Sequence, residues 1–245
     1  MKKELKISII TVTKNSEKYL EENILSVSNQ SYKNYEHIII DGNSTDQTRN
    51  IIIKHNEKIS YWVSEPDQGL YFAMNKGIQK ASGDIIGILN SDDIFYIDAL
   101  NTVNKYFTED EKLDFLFGSV YKHKLMHGYE PRKIKWTFGF YTTHSVGFFI
   151  KTAAQKKIGY YDTQYKWSAD YDLFYKMIVK FKLNGTATKI DEIFGKFRTG
   201  GLSSRIKYLD FLIENNKIRL NNGQNFILVY LIFILRILRN VKNFF

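Results

Sequence analysis

Four apolar runs, each closed by small or polar residues, punctuate the first half of the chain. Lys6 to Thr13 is rich in β-branched residues and predicts a buried strand, while residues 16–29 place Tyr19, Leu20, Ile24, Leu25 and Val27 at near-helical spacing. Tyr35 to Asp41 predicts a second strand, ended by Gly42 and Asn43. Ser44 and Gln47 then have the form of a capping box ahead of Ile51, Ile52 and Ile53. Ile59 to Val63 reads as a third strand, and after Pro66-Asp-Gln-Gly69 a helix is predicted over 70–80. Ser82-Gly83 breaks it, and Asp84 to Leu89 makes a fourth strand ending abruptly at Asn90-Ser-Asp-Asp93. Strands alternating with helices across short polar turns predict an α/β fold: a mostly parallel, Rossmann-like sheet with helices on both faces.

Beyond Asp110 the pattern loosens. Phe115 to Tyr121 reads as a strand, and the basic, aromatic stretch to about Tyr141 as hairpin or irregular chain. Helices are predicted near Ile97–Phe107, Lys151–Lys157 and from Ala169 to Val179. A short extended piece past Ile190, a glycine-containing loop at Thr199–Ser203 and a helical tail follow. No stretch rich in Pro, Gly or Ser separates two domains. The expected division is one domain over 1–204, with a nucleotide-binding half (1–110) and an acceptor-binding half (111–204), and a basic, amphipathic tail over 205–245.

Composition narrows the chemistry. The 245 residues include no cysteine, which removes disulfides, thiolate metal sites and cysteine nucleophiles together. A 44% hydrophobic share with two prolines excludes a disordered or collagen-like chain. The net charge of +9 is uneven: residues 122–157 carry eight Lys/Arg against Glu130, and residues 201–245 carry seven against Asp210 and Glu214. Such segments suit anionic partners or simply keep the chain soluble. The initial lysines lead into a strand rather than the apolar run of a signal peptide. At the other end, Phe226 to Leu235 is about half of the ~20 residues a membrane span needs. With Arg236, Arg239 and Lys242 following, it reads as a helix lying in a membrane interface or packed on its own domain.

In a parallel α/β sheet, ligands bind outside the carboxyl ends of the strands. Thr11, Thr13, Asp41, Glu65, Asp67, Asn90, Asp92 and Asp93 all fall there. Neither G-x-G-x-x-G nor G-x-x-x-x-G-K-[ST] occurs, so a dinucleotide or P-loop site is not expected. Adjacent carboxylates repel, and a divalent cation relieves the repulsion; an all-oxygen set favours Mg²⁺ or Mn²⁺. Plain alternatives stand beside this reading. Asp92-Asp93 could be a turn and helix N-cap, and Asp41 a turn residue.

Five segments occur in the order seen in family 2 glycosyltransferases: Ile9-Ile-Thr-Val-Thr-Lys-Asn15, Ile39-Ile-Asp-Gly-Asn-Ser-Thr-Asp46, Asn75-Lys-Gly-Ile78, Ala81-Ser-Gly-Asp84 and Leu89-Asn-Ser-Asp-Asp93. The chain resembles that family, and Ser64 to Gly77 resembles its branch in bacterial surface-polysaccharide assembly. Thr143-His144, Ser168-Ala-Asp-Tyr-Asp172 and Phe197 to Ser203 extend the likeness. The resemblance implies a GT-A fold and inverting, metal-dependent transfer of a sugar from a nucleotide diphosphate, usually UDP. It implies that Thr11, Thr13, Asp41, Asp67, Asn75 and Asp92 contact the nucleotide, and that Asp92 or Asp93 holds Mg²⁺ or Mn²⁺. Asn90 stands where the family more often has Asp, which leaves the direct ligand open.

Asp170 matches the family's catalytic base, with Asp172 the second choice and a helix N-cap the plain alternative. His144 and Arg198 would touch acceptor or diphosphate, or be structural. The implied acceptor is a saccharide, free or lipid-linked, at the inner face of a bacterial cytoplasmic membrane touched through 226–245, with no nucleic acid involved. The competing readings are a metal-dependent nucleotidyltransferase and a basic nucleic-acid-binding module.

Overall fold

Period-two alternation decides which layer each strand residue enters. In β1 (Ile7–Thr13), Ile7 and Ile9 join one apolar cluster while Ile10 and Val12 join another across the sheet. β2 (Tyr35–Asp41) repeats this, with Ile38 and Ile40 on the side of Ile10 and Ile39 on the opposite side. The computed structural model describes residues 4–136, 139–201 and 206–240. A central seven-stranded sheet runs through it in the order β10 (Gly185–Ala187), β6 (Phe115–Phe117), β9 (Phe148–Lys151), β4 (Ile85–Ile88), β1, β2 and β3 (Tyr61–Ser64). Only β9 runs antiparallel to its neighbours β4 and β6; the other pairings are parallel.

Strands buried on both faces need helices on both. α1 (Leu20–Ser28), α2 (Thr48–Lys54) and α4 (Ala99–Glu109) bury Ile24, Ile52, Leu100 and Val103 on one face. α3 (Leu70–Lys80), α5 (Thr152–Ile158) and α6 (Ala169–Tyr175) bury Met74, Ile78, Ile158 and Phe174 on the other. At the amino-terminal edge, Glu36 is burdened by burial, but Lys6, Ser8 and Ser82 donate to its carboxylate and hold it down to about 2. Polar bonding is thus concentrated at the two strand ends, with apolar packing between.

The structure departs from the sequence expectations at several points. Phe115 to Tyr121 is two strands rather than one. Gly118 separates β6 from β7 (Ser119–Tyr121), which joins β5 (Ile94–Phe95), β11 (Ile193–Lys196) and β8 (Leu125–Met126) in a second, four-stranded sheet ordered β5-β11-β7-β8. A Cβ at Gly118 would lie 2.1 Å from Phe194, whose ring packs edge-on against Phe149 at 5.4 Å. Gly118→Ala is therefore expected to cost about 3 kcal/mol, read as a lowered urea midpoint at unchanged slope.

The capping box does not form. Ser44 accepts from the Asn15 amide and donates to Asp41, and α2 starts at Thr48 with no side-chain cap. α6 stops at Tyr175 and continues as one π-helical turn, Lys176–Lys180. The tail is two helices, α7 (Tyr208–Asn221) and α8 (Phe226–Arg239), packed on one another; the final tail residues 241–245 and loop residues 202–205 lie outside the described residues.

Candidate active site

The first four strands stand in the order β3-β2-β1-β4, so the chain reverses direction across the sheet between β1 and β4. Their carboxyl ends flank the crevice where such folds bind ligands. Thr13 ends β1 with a buried hydroxyl that has no partner among the described residues. Thr11 lies deeper: its hydroxyl is fully enclosed, 3.0 Å from His37 Nε2 and 3.3 Å from Asn23 Oδ1. Asp41 is fully buried as well. It accepts from the Ser44 amide at 3.1 Å, the Ser64 hydroxyl at 2.5 Å and the Ser44 hydroxyl.

The loops after β1 and β2 are zipped together. Asn15 (φ 50°) and Asn43 (φ 57°) adopt the left-handed conformation that asparagine tolerates. Asn15 Oδ1 accepts from the Thr45 amide, and Thr48 Oγ1 accepts from the Ser16 amide. Much of the Asp41-to-Thr48 segment thus builds the crevice wall. Asp67 leans over that wall, its Oδ2 2.6 Å from where a Cβ on Gly42 would stand, and accepts from the Gly69 amide. Asn75 sits elsewhere, with both ends of its amide bound to the Tyr161 backbone at 2.9 Å.

At the end of β4 the two adjacent acids separate. Asp93 is 1% exposed and bridges two segments, accepting from the Ser145 hydroxyl at 2.5 Å and the Arg198 amide at 2.8 Å. Burial, and then the neighbouring Asp92 charge, push its carboxyl up to about 7. Asp92 is partly exposed and its carboxylate faces Gly201, 3.2 Å from where a Cβ there would stand; burial raises its pKa and Arg198 opposes the rise. Neither acid caps a helix, since α4 begins beyond Asp98.

Asn90 carries a buried Oδ1 without a partner among the described residues. Arg198 is fully committed, with its guanidinium on Glu22 at 2.5 Å, on the Asp92 carbonyl at 2.9 Å and over the Tyr19 ring at 4.7 Å. Beside this cluster Val146, a β-branched residue, is held at φ 70°, a strain of about 1–3 kcal/mol stored next to Ser145.

Asp170 lies in the first turn of α6, partly exposed and next to tyrosines. Its Oδ1 accepts from the Tyr71 hydroxyl at 3.1 Å and from the Tyr171 amide at 2.9 Å. Burial pushes Asp170 up to about 6, while these donors restrain the rise. Ser168, not Asp170, is the residue preceding the helix. Asp172 is 2% exposed and tied to Lys176 at 2.6 Å and Asn222 at 2.8 Å.

His144 joins the two acid centres. It is adjacent to Ser145, which holds Asp93, and its Nε2 is 2.6 Å from the Tyr161 hydroxyl; the Tyr161 ring packs 5.5 Å from Tyr71, which holds Asp170. Burial lowers His144 to about 4, so it is neutral at physiological pH.

The structure therefore gathers Thr13, Asn90, Asp92 and Asp67 at the carboxyl ends of the strands, and a relay through Ser145, His144, Tyr161 and Tyr71 connects Asp93 behind them to Asp170. Thr11, Asp41 and Asp93 brace those strand ends from behind, and Asn75 braces Tyr161. Among the described residues no three acidic or histidine side chains converge as a complete cation cage. A single outward carboxylate at Asp92 nevertheless suits Mg²⁺ or Mn²⁺, which take one or two protein carboxylates and complete their shell with substrate phosphates and water. Tyr71, Tyr141, Tyr161 and Ser145 were not singled out from sequence, because a tyrosine destined for a site and one destined for a core carry the same local pattern.

The family model described as Glycosyl transferase family 2 matches residues 8–178. An uncharacterized glycosyltransferase of Rickettsia typhi is 31% identical over 187 residues, covering 70% of this chain and 58% of its own. The present chain thus spans little more than half the length of that relative. TuaG of Bacillus subtilis, assigned to teichuronic acid biosynthesis, is 34% identical over 42% of this chain and 42% of its own. Among solved structures, TarS of S. aureus in complex with UDP-GlcNAc superposes on 93% of this chain and 70% of its own at a TM-score of 0.68 and 20% identity, a likeness of fold.

Proposed function

The chain belongs to the family 2 glycosyltransferases, and from that premise we propose that it moves a sugar from a nucleoside diphosphate, UDP by preference, onto a hydroxyl of a saccharide acceptor, free or lipid-linked. The acceptor belongs to a cell-surface polysaccharide, a reading supported by the teichuronic acid assignment of TuaG. Residues 1–110 bind the nucleotide, 111–204 the acceptor, and the tail meets the inner face of the cytoplasmic membrane. Family membership leaves the nucleotidyltransferase and nucleic-acid-binding readings without support.

One observation carries the mechanism: Asp170, partly exposed in the first turn of α6, has a carboxyl that burial pushes up to about 6 beside the Tyr71 phenol. A base of that strength is ionised at neutral pH yet can accept a proton as the acceptor oxygen attacks. The acceptor O–H gives its proton to Asp170, its oxygen bonds to the sugar C1, and the C1–O bond to the diphosphate breaks on the opposite face with inversion. Asp92 would hold the divalent cation, which when bound offsets charge on the departing diphosphate. Thr13 and Asn90 offer their unpartnered oxygens to the nucleotide, and Asp67 borders the same space. Arg198 orients the Asp92 backbone, and His144, being neutral, positions Tyr161 instead of neutralising phosphate.

The test is a panel of nucleotide sugars in thermal unfolding with and without Mn²⁺. UDP-sugars are expected to raise the midpoint only with the metal. No stabilisation by any nucleotide sugar under either condition would overturn the proposal.

A further inference from the structure

Beneath α8 two arginines come together with no Asp or Glu paired to either. α7 turns Leu212, Asn215, Ile218 and Arg219 inward, and Arg219 is 0% exposed. Its Nε donates to the Tyr171 hydroxyl at 2.8 Å and its guanidinium stands 5.6 Å from that ring, while both terminal nitrogens have no partner among the described residues. Arg236 reaches in from α8, on the same face as the buried Val229 and Ile232, and donates to the Trp136 carbonyl. Burial and the Arg219 charge both lower its pKa. Every Asp and Glu of the chain lies within the described residues, and none forms an ion pair with either arginine. A buried and a half-buried like charge with no paired Asp or Glu are costly, and an arriving anion relieves that cost. Guanidinium forks match phosphate oxygens in particular.

The opposite face of α8 is apolar and bare. Phe226 and Ile227 are 63% and 64% exposed, and the stripe runs through Leu231 and Leu235 to Leu238 at 65%. Among the described residues no helix is long and apolar enough to cross a membrane. A helix of this pattern lies in the plane of the interface, its apolar side among acyl chains and its cations at headgroup level. Arg236 is partly exposed beside the open Trp136 ring, so of the two arginines it is the one that stands where α8 would meet that headgroup level.

We propose that Arg219 and Arg236 form a phosphate site that clamps an anionic lipid headgroup while the acyl chains lie along the apolar face of α8. This rests on the reading of the tail as membrane-facing and adds a specific headgroup contact to it. It is tested by flotation with phosphatidylglycerol and phosphatidylcholine vesicles, using the full chain, Arg219→Met, Arg236→Gln and the pair Leu231→Gln/Leu235→Gln. Wild type is expected to float with both vesicle types and more strongly with phosphatidylglycerol, each arginine variant to bind the phosphatidylglycerol vesicles about tenfold more weakly, and the leucine pair to lose both.

Without lipid, Arg219→Met is expected to unfold at the same temperature as wild type or higher, whereas an arginine with a purely structural role would lower it. Arg236→Gln, at the partly exposed member, carries the test if Arg219→Met does not fold. Equal phosphatidylglycerol binding by wild type and the arginine variants overturns the phosphate site but leaves the membrane reading intact. No flotation of wild type with either vesicle overturns both. Arginine-dependent stabilisation by inorganic phosphate, with no preference between the vesicles, overturns the lipid assignment.

Discussion

Replacing Asp170 by Asn is expected to reduce turnover by about 10²–10⁴-fold while UDP binding persists, the size of a lost general base. Asparagine keeps the shape and can still accept from Tyr71 and the Tyr171 amide, so the loss isolates proton acceptance from packing. The wild-type rate should fall on the acid side with an apparent pKa near the value of about 6 to which burial raises this carboxyl. The sign follows from the reaction: the ionised form is the base, so activity is full above that pH and is lost as pH drops through it. The acid limb should vanish from whatever activity Asp170→Asn retains.

Stability moves the other way. A carboxyl whose folded pKa is raised binds its proton more tightly in the native state, so ionising it weakens the fold as pH rises from the unfolded value towards the folded one. At pH 7.5 Asp170→Asn is therefore expected to melt at a higher temperature than wild type, the usual exchange of stability for a working site. Undiminished turnover in the variant would remove Asp170 from the chemistry.

Asp92→Asn is expected to abolish metal-dependent stabilisation by UDP and to lower kcat/KM by about 10²-fold or more, because charge on the leaving diphosphate loses its counter-ion. The informative control is Asp93→Asn. Asp93 already spends both oxygens on Ser145 and the Arg198 amide, and burial with the Asp92 charge holds its carboxyl near 7, so it is substantially protonated at neutral pH. An amide can replace much of that bonding, and the variant should retain most of its metal response. Isothermal titration of Mn²⁺ and UDP against both variants separates the two acids. If Asp93→Asn loses the metal response and Asp92→Asn keeps it, the assignment is reversed.

The contrast between these neighbours shows where sequence reading stopped. Both are aspartates after the same apolar run, and the run alone cannot say which turns outward. That depends on Ser145 and Arg198, which arrive from distant parts of the chain. The short strands escaped for another reason. β5 and β8 each span two residues, too few for any period to register, and exist because β11 and β7 offer them partners. Ser44 failed as a cap because its hydroxyl is taken by the nearby Asp41 and by the Asn15 amide, the latter brought near by the pairing of β1 with β2. The tyrosines around Asp170 likewise gain their role only when α3, α6 and the approach to β9 converge.

What the chain declares by itself is periodic or compositional. Apolar runs with period two become strands, and β2 and α3 emerge with the bounds expected of them, Tyr35–Asp41 and Leu70–Lys80. The absence of cysteine confines any metal to Asp, Glu or histidine, and the crowding of acids after the strands favours oxygen ligands. These properties are local, because burial of a repeating face is favourable whatever it packs against. The tertiary structure alone decided which acid is braced and which is open, how strongly Asp170 holds its proton, and that a buried and a half-buried arginine come together with no Asp or Glu paired to either. Desolvation and hydrogen bonding are set by neighbours distant in sequence, and no window along the chain contains them.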